Sequence, residues 1–324
     1  MKATLTSDNG AQLFEVPMPT VGERDVLVKV RAAGLNRADL SVLAGQRHGS
    51  ASGPGTPLGL EWAGDVVSVG SAVKHVRVGE RVMCSGRGGM AEYAVTDLGR
   101  VMPIPRDDMS YELAAGLPIA LQTMHDAVIT HGQLQPGQSL LVQGASAGVG
   151  LMAMQIAKWR GASCVIGTST DASRRSRLNE MGADLALDSR DPSWVEQVLK
   201  ATQGRGVDIV FDHLGGQSLI DGLHSLAPLG TLVSYNIVQG MPTEDVFQAM
   251  RHLLGKSLAV RCFSMHTFDE DVAIRRALMQ EAIGLMANAQ VKAPECQVFK
   301  FSEVRQTHAL LDGGMVRGKL VMHP

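Results

Sequence analysis

The chain of 324 residues is 45% hydrophobic and 19% charged, an ordinary globular composition with length enough for two domains and two cores. A formal net charge of −2 leaves no basic field to recruit nucleic acid or an anionic membrane. Four scattered cysteines (Cys84, Cys164, Cys262 and Cys296) form no C-x-x-C pair, which argues against a disulfide framework or a cysteine-rich zinc lobe and suits a reducing cytoplasm.

The first ten residues lack the apolar core of a signal peptide, and no run approaches the roughly 20 apolar residues of a membrane span. Residues 1 to 120 carry many glycines and short alternating runs at Val26–Val30, Trp62–Val67, Arg81–Met83 and Glu92–Val95. Turn residues separate these runs, which predicts a mainly β domain with the spacing of a small irregular barrel. Gly45 to Pro57 has no periodicity and reads as a loop able to act as a substrate lid; its His48 reads as solvated. Residues 111 to 132 turn helical and lead into the next domain.

Ser139 to Gln143 is a short apolar run that predicts a buried strand. Gly144 to Gly150 is a glycine-rich turn, and from Val149 to Lys158 the period becomes helical, with Val149, Met152, Ala153, Ile156 and Ala157 on one face. Strand, glycine turn and helix outline a nucleotide pocket: the glycines let backbone approach a pyrophosphate and the helix start offers free N–H groups. The spacing Gly144, Gly148, Gly150 departs from G-x-G-x-x-G and by itself is also compatible with a plain tight turn. Context favours the dinucleotide site. Strands at Ala162–Thr168, Val207–Asp212 and Thr231–Tyr235 alternate with helices over 172–181, 192–203 and 216–227, the pattern of a doubly wound parallel α/β sheet. Leu258–Phe263 reads as its last strand. A long amphipathic helix over 270–288 follows, then strand character at Val298–Phe301 and Leu320–Met322 around a helix at 303–311. The tail is expected to rejoin the first domain, leaving the cofactor domain inserted and a cleft between the two.

The second strand of the α/β region ends Val165-Ile166-Gly167-Thr168-Ser169-Thr170, with no acid at its tip and Asp171 the nearest. NAD-selective sites place an Asp or Glu there for the ribose hydroxyls. Small hydroxyls at Thr168 and Ser169 with Arg174 downstream suit a 2′-phosphate instead, which favours NADPH over NADH. Arg175 and Arg177 read as a solvated helix face. The carboxyl end of the strand closing at Asp212 places His213 and Leu214 toward a ligand.

The run Gly59-Leu60-Glu61-Trp62-Ala63-Gly64, with Val66, Gly70, Val73, Gly79 and Val82, resembles the signature of the medium-chain dehydrogenase/reductase superfamily. Ala33-Gly34-Leu35-Asn36-Arg37-Ala38-Asp39 resembles the active-site turn of its zinc-independent quinone oxidoreductase (zeta-crystallin-like) branch. Gly144–Gly150 with Gln155 and Ala157-Lys158, then Gly182-Ala183-Asp184, Gly206-Val207-Asp208 and Gly318-Lys319-Leu320-Val321, are similar to that branch in the expected order. The resemblance implies a GroES-like catalytic domain (1–121 and 266–324), a Rossmann NADP(H) domain (122–265) and a homodimer, paired through the Leu258–Phe263 edge. In the zinc-dependent members a Cys stands at the position of Asn36 and a His at that of Leu60. Leu has no donor atom, so no zinc is expected, and without a Lewis acid alcohol oxidation is disfavoured. Reduction of a quinone or an activated C=C bond, by direct hydride transfer with no flavin, fits better.

By the same resemblance Asn36 lies near the nicotinamide and the substrate carbonyl, where its amide could donate to an enolate oxygen; as a plain turn residue it would instead cap backbone groups. Thr123 aligns with a Thr that contacts the carboxamide, the alternative being a helix Thr bonded to its own backbone. His125 falls where relatives carry an aromatic residue over the cofactor, although a structural histidine is the favoured reading. Ala147, Gly148, Val149 and Gly150 take the pyrophosphate. Thr168, Ser169, Arg174 and Ser189 take the adenosine end, Ser189 standing where relatives often have Tyr. Asn236 replaces a Gly after Tyr235, and Lys319 closes the cofactor set. Glu61 and Glu92 read as structural acids. The medium-chain enoyl-thioester reductases supply a Tyr from the loop after the N-x-x-D turn, and residues 40–58 contain none. Solvent or a ribose hydroxyl relay is left as the proton source. The chain starts at Met and reads as freestanding, so a small-molecule reductase ranks above an enoyl-thioester (CoA, carrier-protein or polyketide) reductase. A non-catalytic NADPH-binding structural or regulatory protein ranks third.

Overall fold

The computed structural model describes residues 1–45, 53–314, 316 and 318–324. They divide into a first unit of Met1–Gln122, Phe268–Asn288 and Ala293–Pro324 and a second unit of Thr123–Thr267 and Ala289–Lys292. His48 and most of the candidate lid loop lie outside the described residues.

The first unit opens on a hairpin that the sequence reading did not mark, β1 (Lys2–Ser7) and β2 (Gly10–Glu15), paired from Lys2↔Glu15 to Ser7↔Gly10. β3 (Asp25–Gly34) is the spine of the larger sheet. Val26, Val28 and Val30 turn inward and are at most 3% exposed, while Lys29 and Arg31 between and beside them face out. After β3 come α1 (Arg37–Leu43), β4 (Glu61–Val69), β5 (Arg81–Ser85), β6 (Tyr93–Asp97) and β7 (Val101–Pro103). β4 runs antiparallel along nearly all of β3, and β6 pairs only with the Asp25–Lys29 half of β3 on its other side. Trp62 of β4 is fully buried in this core with Val82, Val101 and Met90. Gly59, just ahead of β4, has φ +95, and a Cβ there would stand 2.3 Å from the Met90 nitrogen, so only glycine lets the two segments close. Short α2 (Tyr111–Ala115), with Ser110 accepting from the Leu113 N–H, leads to α3 (Pro118–His125), which begins on the proline that suits a first helical turn. α3 runs into a six-residue π-helix, Asp126–His131.

The second unit alternates strand and helix: β8 (Ser139–Val142), α4 (Gly148–Trp159), β9 (Cys164–Thr168), α5 (Ala172–Glu180), β10 (Leu185–Leu187), α6 (Trp194–Ala201), β11 (Val207–Asp212), α7 (Gly216–Ser225), β12 (Leu226–Ser234), α8 (Val246–His252) and β13 (Ala259–Cys262). All six strands are parallel, in the order β10-β9-β8-β11-β12-β13. The first strand, β8, therefore sits mid-sheet, and the order reverses between β8 and β11, where open α/β sheets bind ligands at their carboxyl ends. The apolar runs that predicted buried strands are buried: Leu140, Leu141, Val142, Val165, Ile166, Val210 and Phe211 are all 0% exposed. β12 begins at Leu226, where the sequence reading continued a helix to 227. β13 is an edge strand with exposed Ala259, Arg261 and Cys262.

The tail returns to the first unit. α9 (Val272–Ala287) starts on Asp271, which accepts from the Ile274 N–H at 3.0 Å. β14 (Cys296–Lys300) lies parallel to β15 (Lys319–His323), with α10 (Val304–Asp312) between them in sequence. β15 pairs antiparallel with the Ala33–Gly34 end of β3, completing the order β14-β15-β3-β4-β5-β7. β3 thus changes partner along its length from β6 to β15. That partner exchange carries residue 319 to the end of β3 from which Asn36 follows.

Candidate active site

In the second unit the turn after β8 is held from below by one residue. Thr168, at the end of β9, accepts the Gly144 N–H on its hydroxyl at 3.1 Å and the Ala145 N–H on its carbonyl at 2.8 Å. Gly144 has φ +60, and a Cβ there would stand 2.5 Å from His213 Cε1. A Cβ on Gly150 would stand 2.6 Å from Ala145 Cα, so this glycine lets the first turn of α4 close on the strand's exit. Ala147 is the N-cap of α4 and no side chain caps the helix. Ala147, Gly148 and Val149 are half-buried; the Ala147 N–H donates to the Gly144 carbonyl at 3.1 Å, and the N–H groups of the first helical turn that follows suit a pyrophosphate.

At the tip of β9 the Ser169 hydroxyl lies 3.0 Å from that of Ser146. Arg174, on the first turn of α5, stands 3.5 Å from Asp171, whose carboxylate caps α5 by accepting from the Ser173 and Arg174 N–H groups. The Ser173 hydroxyl and the Arg174 backbone hold the Asp171 carboxyl below its ordinary range. Arg175, expected on a solvated face, instead pairs with Asp188 at 2.9 Å and donates to the Ser169 carbonyl at 2.9 Å. Ser189 is half-buried beside Asp188, whose carboxyl is pulled down to about 2, chiefly by Arg190. Ser169 is 4% exposed, so of these groups the half-buried Arg174 guanidinium is the donor whose chemistry suits a 2′-phosphate.

At the carboxyl end of β11, Asp212 accepts from the Leu214 and Gly215 N–H groups at 3.0 and 3.2 Å, and burial pushes its carboxyl up to about 6. His213 is 9% exposed, packed beneath Gly144 and 3.3 Å from the half-buried Tyr235 hydroxyl. Its side chain shapes the turn from behind. Asn236 is exposed, with its side-chain oxygen accepting the Ile237 N–H at 2.8 Å. Thr123 is half-buried, its hydroxyl 3.5 Å from the Met265 sulfur rather than on the helix backbone.

Two residues named for the cofactor set do not face a ligand. His125 is 0% exposed at the junction of α3 and the π-helix and has no surface to offer a ligand, in keeping with its reading as a structural histidine. The Thr168 side chain is 1% exposed and committed to Gly144, so it acts through the turn.

In the first unit Asn36 caps α1, and its N–H donates to Asp39 Oδ2 at 2.8 Å. Asp39 Oδ1 accepts from the Gly59 N–H at 3.1 Å, and burial pushes this carboxyl up to about 7. The Asn36 side chain donates through Nδ2 to Glu61 Oε1 at 2.9 Å and accepts on Oδ1 from Lys319 Nζ at 2.7 Å. Lys319 also pairs directly with Glu61, and Glu61 Oε2 accepts from the Ile119 N–H at 2.8 Å. Lys319 was expected at the cofactor; it is 7% exposed and belongs to this cluster. Glu61 and Glu92 are structural acids, Glu92 accepting from the Lys2 N–H at 2.7 Å. The sequence reading placed Asp39 in the active-site turn without giving it a role, and it missed the Lys319–Glu61 link. Asn36-x-x-Asp39 carries a local capping signal; Lys319 lies 283 residues from Asn36 and carries none. Leu60, at the position where zinc-dependent relatives have a ligand, is a buried apolar side chain, 7% exposed. Among the described residues no three His, Cys, Asp or Glu side chains gather as a metal site, and no helix is long and apolar enough to cross a membrane.

Residues 22–106 match the alcohol dehydrogenase GroES-like domain family and residues 148–281 the zinc-binding dehydrogenase family. The rat synaptic vesicle membrane protein VAT-1 homolog is 31% identical over 320 residues, covering 94% of this chain and 78% of that protein. A highly reducing polyketide synthase of Didymella fabae is 31% identical over 304 residues, covering 93% of this chain and 16% of the synthase. Among solved structures, Escherichia coli quinone oxidoreductase complexed with NADPH superposes with a TM-score of 0.90 at 24% identity, over 100% of both chains. With its GroES-like sheet, its parallel dinucleotide-type sheet and these relatives, the chain belongs to the medium-chain dehydrogenase/reductase superfamily.

Proposed function

We propose that the protein is an NADPH-dependent reductase of quinones or α,β-unsaturated carbonyls, acting by direct hydride transfer without zinc or flavin, as a homodimer. The observation that carries the reading is the state of Asn36. Its amide is locked by Lys319 and Glu61, it is half-exposed, and among the described residues the second Nδ2 hydrogen has no partner. A fixed neutral donor of this kind stabilises an oxygen on which negative charge develops.

NADPH, when bound, supplies the hydride. The α4 N-terminus would hold its pyrophosphate, and Arg174 its 2′-phosphate. Thr168, Gly144 and His213 keep the turn in the shape that admits it. Asn36 donates to the substrate carbonyl, the conjugated system takes up the charge as hydride arrives, and solvent returns the proton. Zinc independence rests on donor chemistry: Leu60 has no ligand atom, and Asn36 spends its oxygen on Lys319. The homodimer reading rests on the exposed β13 edge, since an open parallel-sheet edge invites a partner.

A second reading, an enoyl-thioester reductase, is favoured by the likeness to the polyketide synthase. The absence of a Tyr between residues 40 and 58 counts against it. The test follows NADPH absorbance at neutral pH with parallel quinone, enone and acyl-thioester panels, repeated with NADH and with a chelator. Turnover of quinones or enones that survives the chelator is expected. Turnover confined to thioesters moves the assignment to the second reading, and tight NADPH binding without turnover on any panel overturns both.

A further inference from the structure

We propose that Lys319 is a positioning residue that locks the Asn36 amide as a hydrogen-bond donor, and so favours in the first unit ligands that present an accepting oxygen, such as a carbonyl or enolate. The inference rests on the reading above for the reaction it serves, but the lock itself is independent of that reading.

An asparagine side chain has two faces of similar shape, a carbonyl that accepts and an NH2 that donates, and can present either to a ligand. Here both neighbours select one orientation. An ammonium only donates, and Lys319 Nζ lies 2.7 Å from Oδ1. A carboxylate only accepts, and Glu61 Oε1 lies 2.9 Å from Nδ2. A flip would set NH2 against the ammonium and the carbonyl against the carboxylate, two repulsive contacts in place of two bonds. Lys319 is 7% exposed and Glu61 0%, so water screens neither contact.

The lock is itself held. The Lys319 N–H donates to the Glu295 carbonyl at 2.8 Å, and residue 319 sits opposite Cys296 in the β14–β15 ladder. The Lys319 stem runs over Gly116, where a Cβ would stand 2.8 Å from its Cγ. Glu61 is pinned from the far side by the Ile119 N–H. Asn36 is fixed through its backbone to Asp39. What is left for a ligand is one N–H of Nδ2. Charge-assisted donation to Oδ1 also draws electron density from the amide nitrogen and strengthens that remaining donor. The residue therefore discriminates by hydrogen-bond sense: an acceptor oxygen is bound and a hydroxyl acting as donor is not.

The test separates orientation from charge neutralisation. Lys319→Met alone strands the Glu61 carboxylate in a buried setting and risks misfolding. The Glu61→Gln/Lys319→Met double variant removes both charges, while the amide oxygen of the introduced glutamine can still accept from Nδ2. In cofactor-free, 15N-labelled protein, the Asn36 side-chain amide pair is identified by its loss in Asn36→Asp. We expect well-separated shifts and slow hydrogen exchange in the wild type, and a pair that moves toward free-amide values in the double variant. With 2-cyclohexenone as substrate, kcat of the double variant is expected to fall roughly ten- to a hundredfold, the loss typical of one charge-assisted bond, while KM for NADPH stays within about twofold. An unchanged amide pair in the double variant overturns the proposal, and so does recovery of wild-type kcat, since Lys319 would then serve only to neutralise Glu61. If the wild type reduces no quinone or enone the function reading fails, and the amide spectrum alone decides the lock.

Discussion

The imidazole of His213 occupies the space in which a side chain at residue 144 would sit, its Cε1 2.5 Å from a Cβ built there. Gly144 is therefore required twice, once for its φ of +60 and once for the ring behind it. Gly144→Ala is expected to cost about 1–2 kcal/mol for the left-handed backbone and more for the contact, and to weaken NADPH binding at least about tenfold. In a His213→Ala background the contact part is relieved and the backbone part remains. Fluorescence titration with NADPH and thermal melts of the four proteins measure both. Unchanged NADPH affinity in Gly144→Ala would show that this turn is not the cradle.

Arg174 is the cation at the β9 tip that the helix cap leaves half-exposed. Arg174→Ala is expected to raise the Kd for NADPH about ten- to a hundredfold and to leave the Kd for NADH unchanged. Equal losses for the two cofactors would place Arg174 away from the 2′-phosphate. Arg175→Ala acts differently, because Arg175 ties Asp188 to the Ser169 carbonyl. It should lower stability by about 1–2 kcal/mol and affect both cofactors alike.

The β13 edge carries Ala259 and Cys262 exposed. If two copies pair through it, lysines at both positions put like charges into a shared ladder. Ala259→Lys/Cys262→Lys is expected to convert a dimer into a monomer in sedimentation velocity, with the NADPH Kd of each protomer unchanged. A double variant that stays dimeric removes the edge from the interface.

Asp39 gives a pH signature. Burial raises its carboxyl to about 7, above the ordinary aspartate value. Between those two values the folded state holds a proton that the unfolded chain releases, so stability falls as pH rises through that window and levels off above about 7. The full amplitude is on the order of 4 kcal/mol. Asp39→Asn has no such titration. The difference in unfolding free energy between wild type and variant, from urea melts at pH 4.5 to 8 (roughly the window set by the shift), should therefore slope downward with pH. A flat difference would mean that Asp39 is ionised throughout.

Much of this protein was legible along the chain. The period change at Val149 marked β8, the turn and α4, because a buried parallel strand reads as a continuous apolar run and a half-buried helix sorts its apolar residues at a spacing of 3.6, and neither needs a distant partner to be recognised. The lack of an acid after β9, the apolar Leu60 and the position of Asn36 were equally local. The β1–β2 hairpin was not legible. Its strand Lys2–Ser7 is polar at alternate positions and its neighbour β2 ends in exposed residues, so neither stands out as a core strand. β12 was read late because Leu226 and Ala227 continue the apolar pattern of α7, and only pairing with β11 makes them extended.

By itself the sequence determined the alternation of strand and helix from Ser139 onward and the glycine turn after β8, since these rest on periodicity and on short spacings, and its motifs carried the resemblance to the superfamily. Only the tertiary structure decided which side chains meet. It enclosed His125, tied Thr168 to Gly144 and placed Lys319 against Asn36. The last depends on β15 crossing to the end of β3, a pairing between residues almost three hundred positions apart. No local pattern encodes it, because the orientation of the Asn36 amide is set by the buried charges around it, and those charges arrive from strands that only the folded sheet brings together.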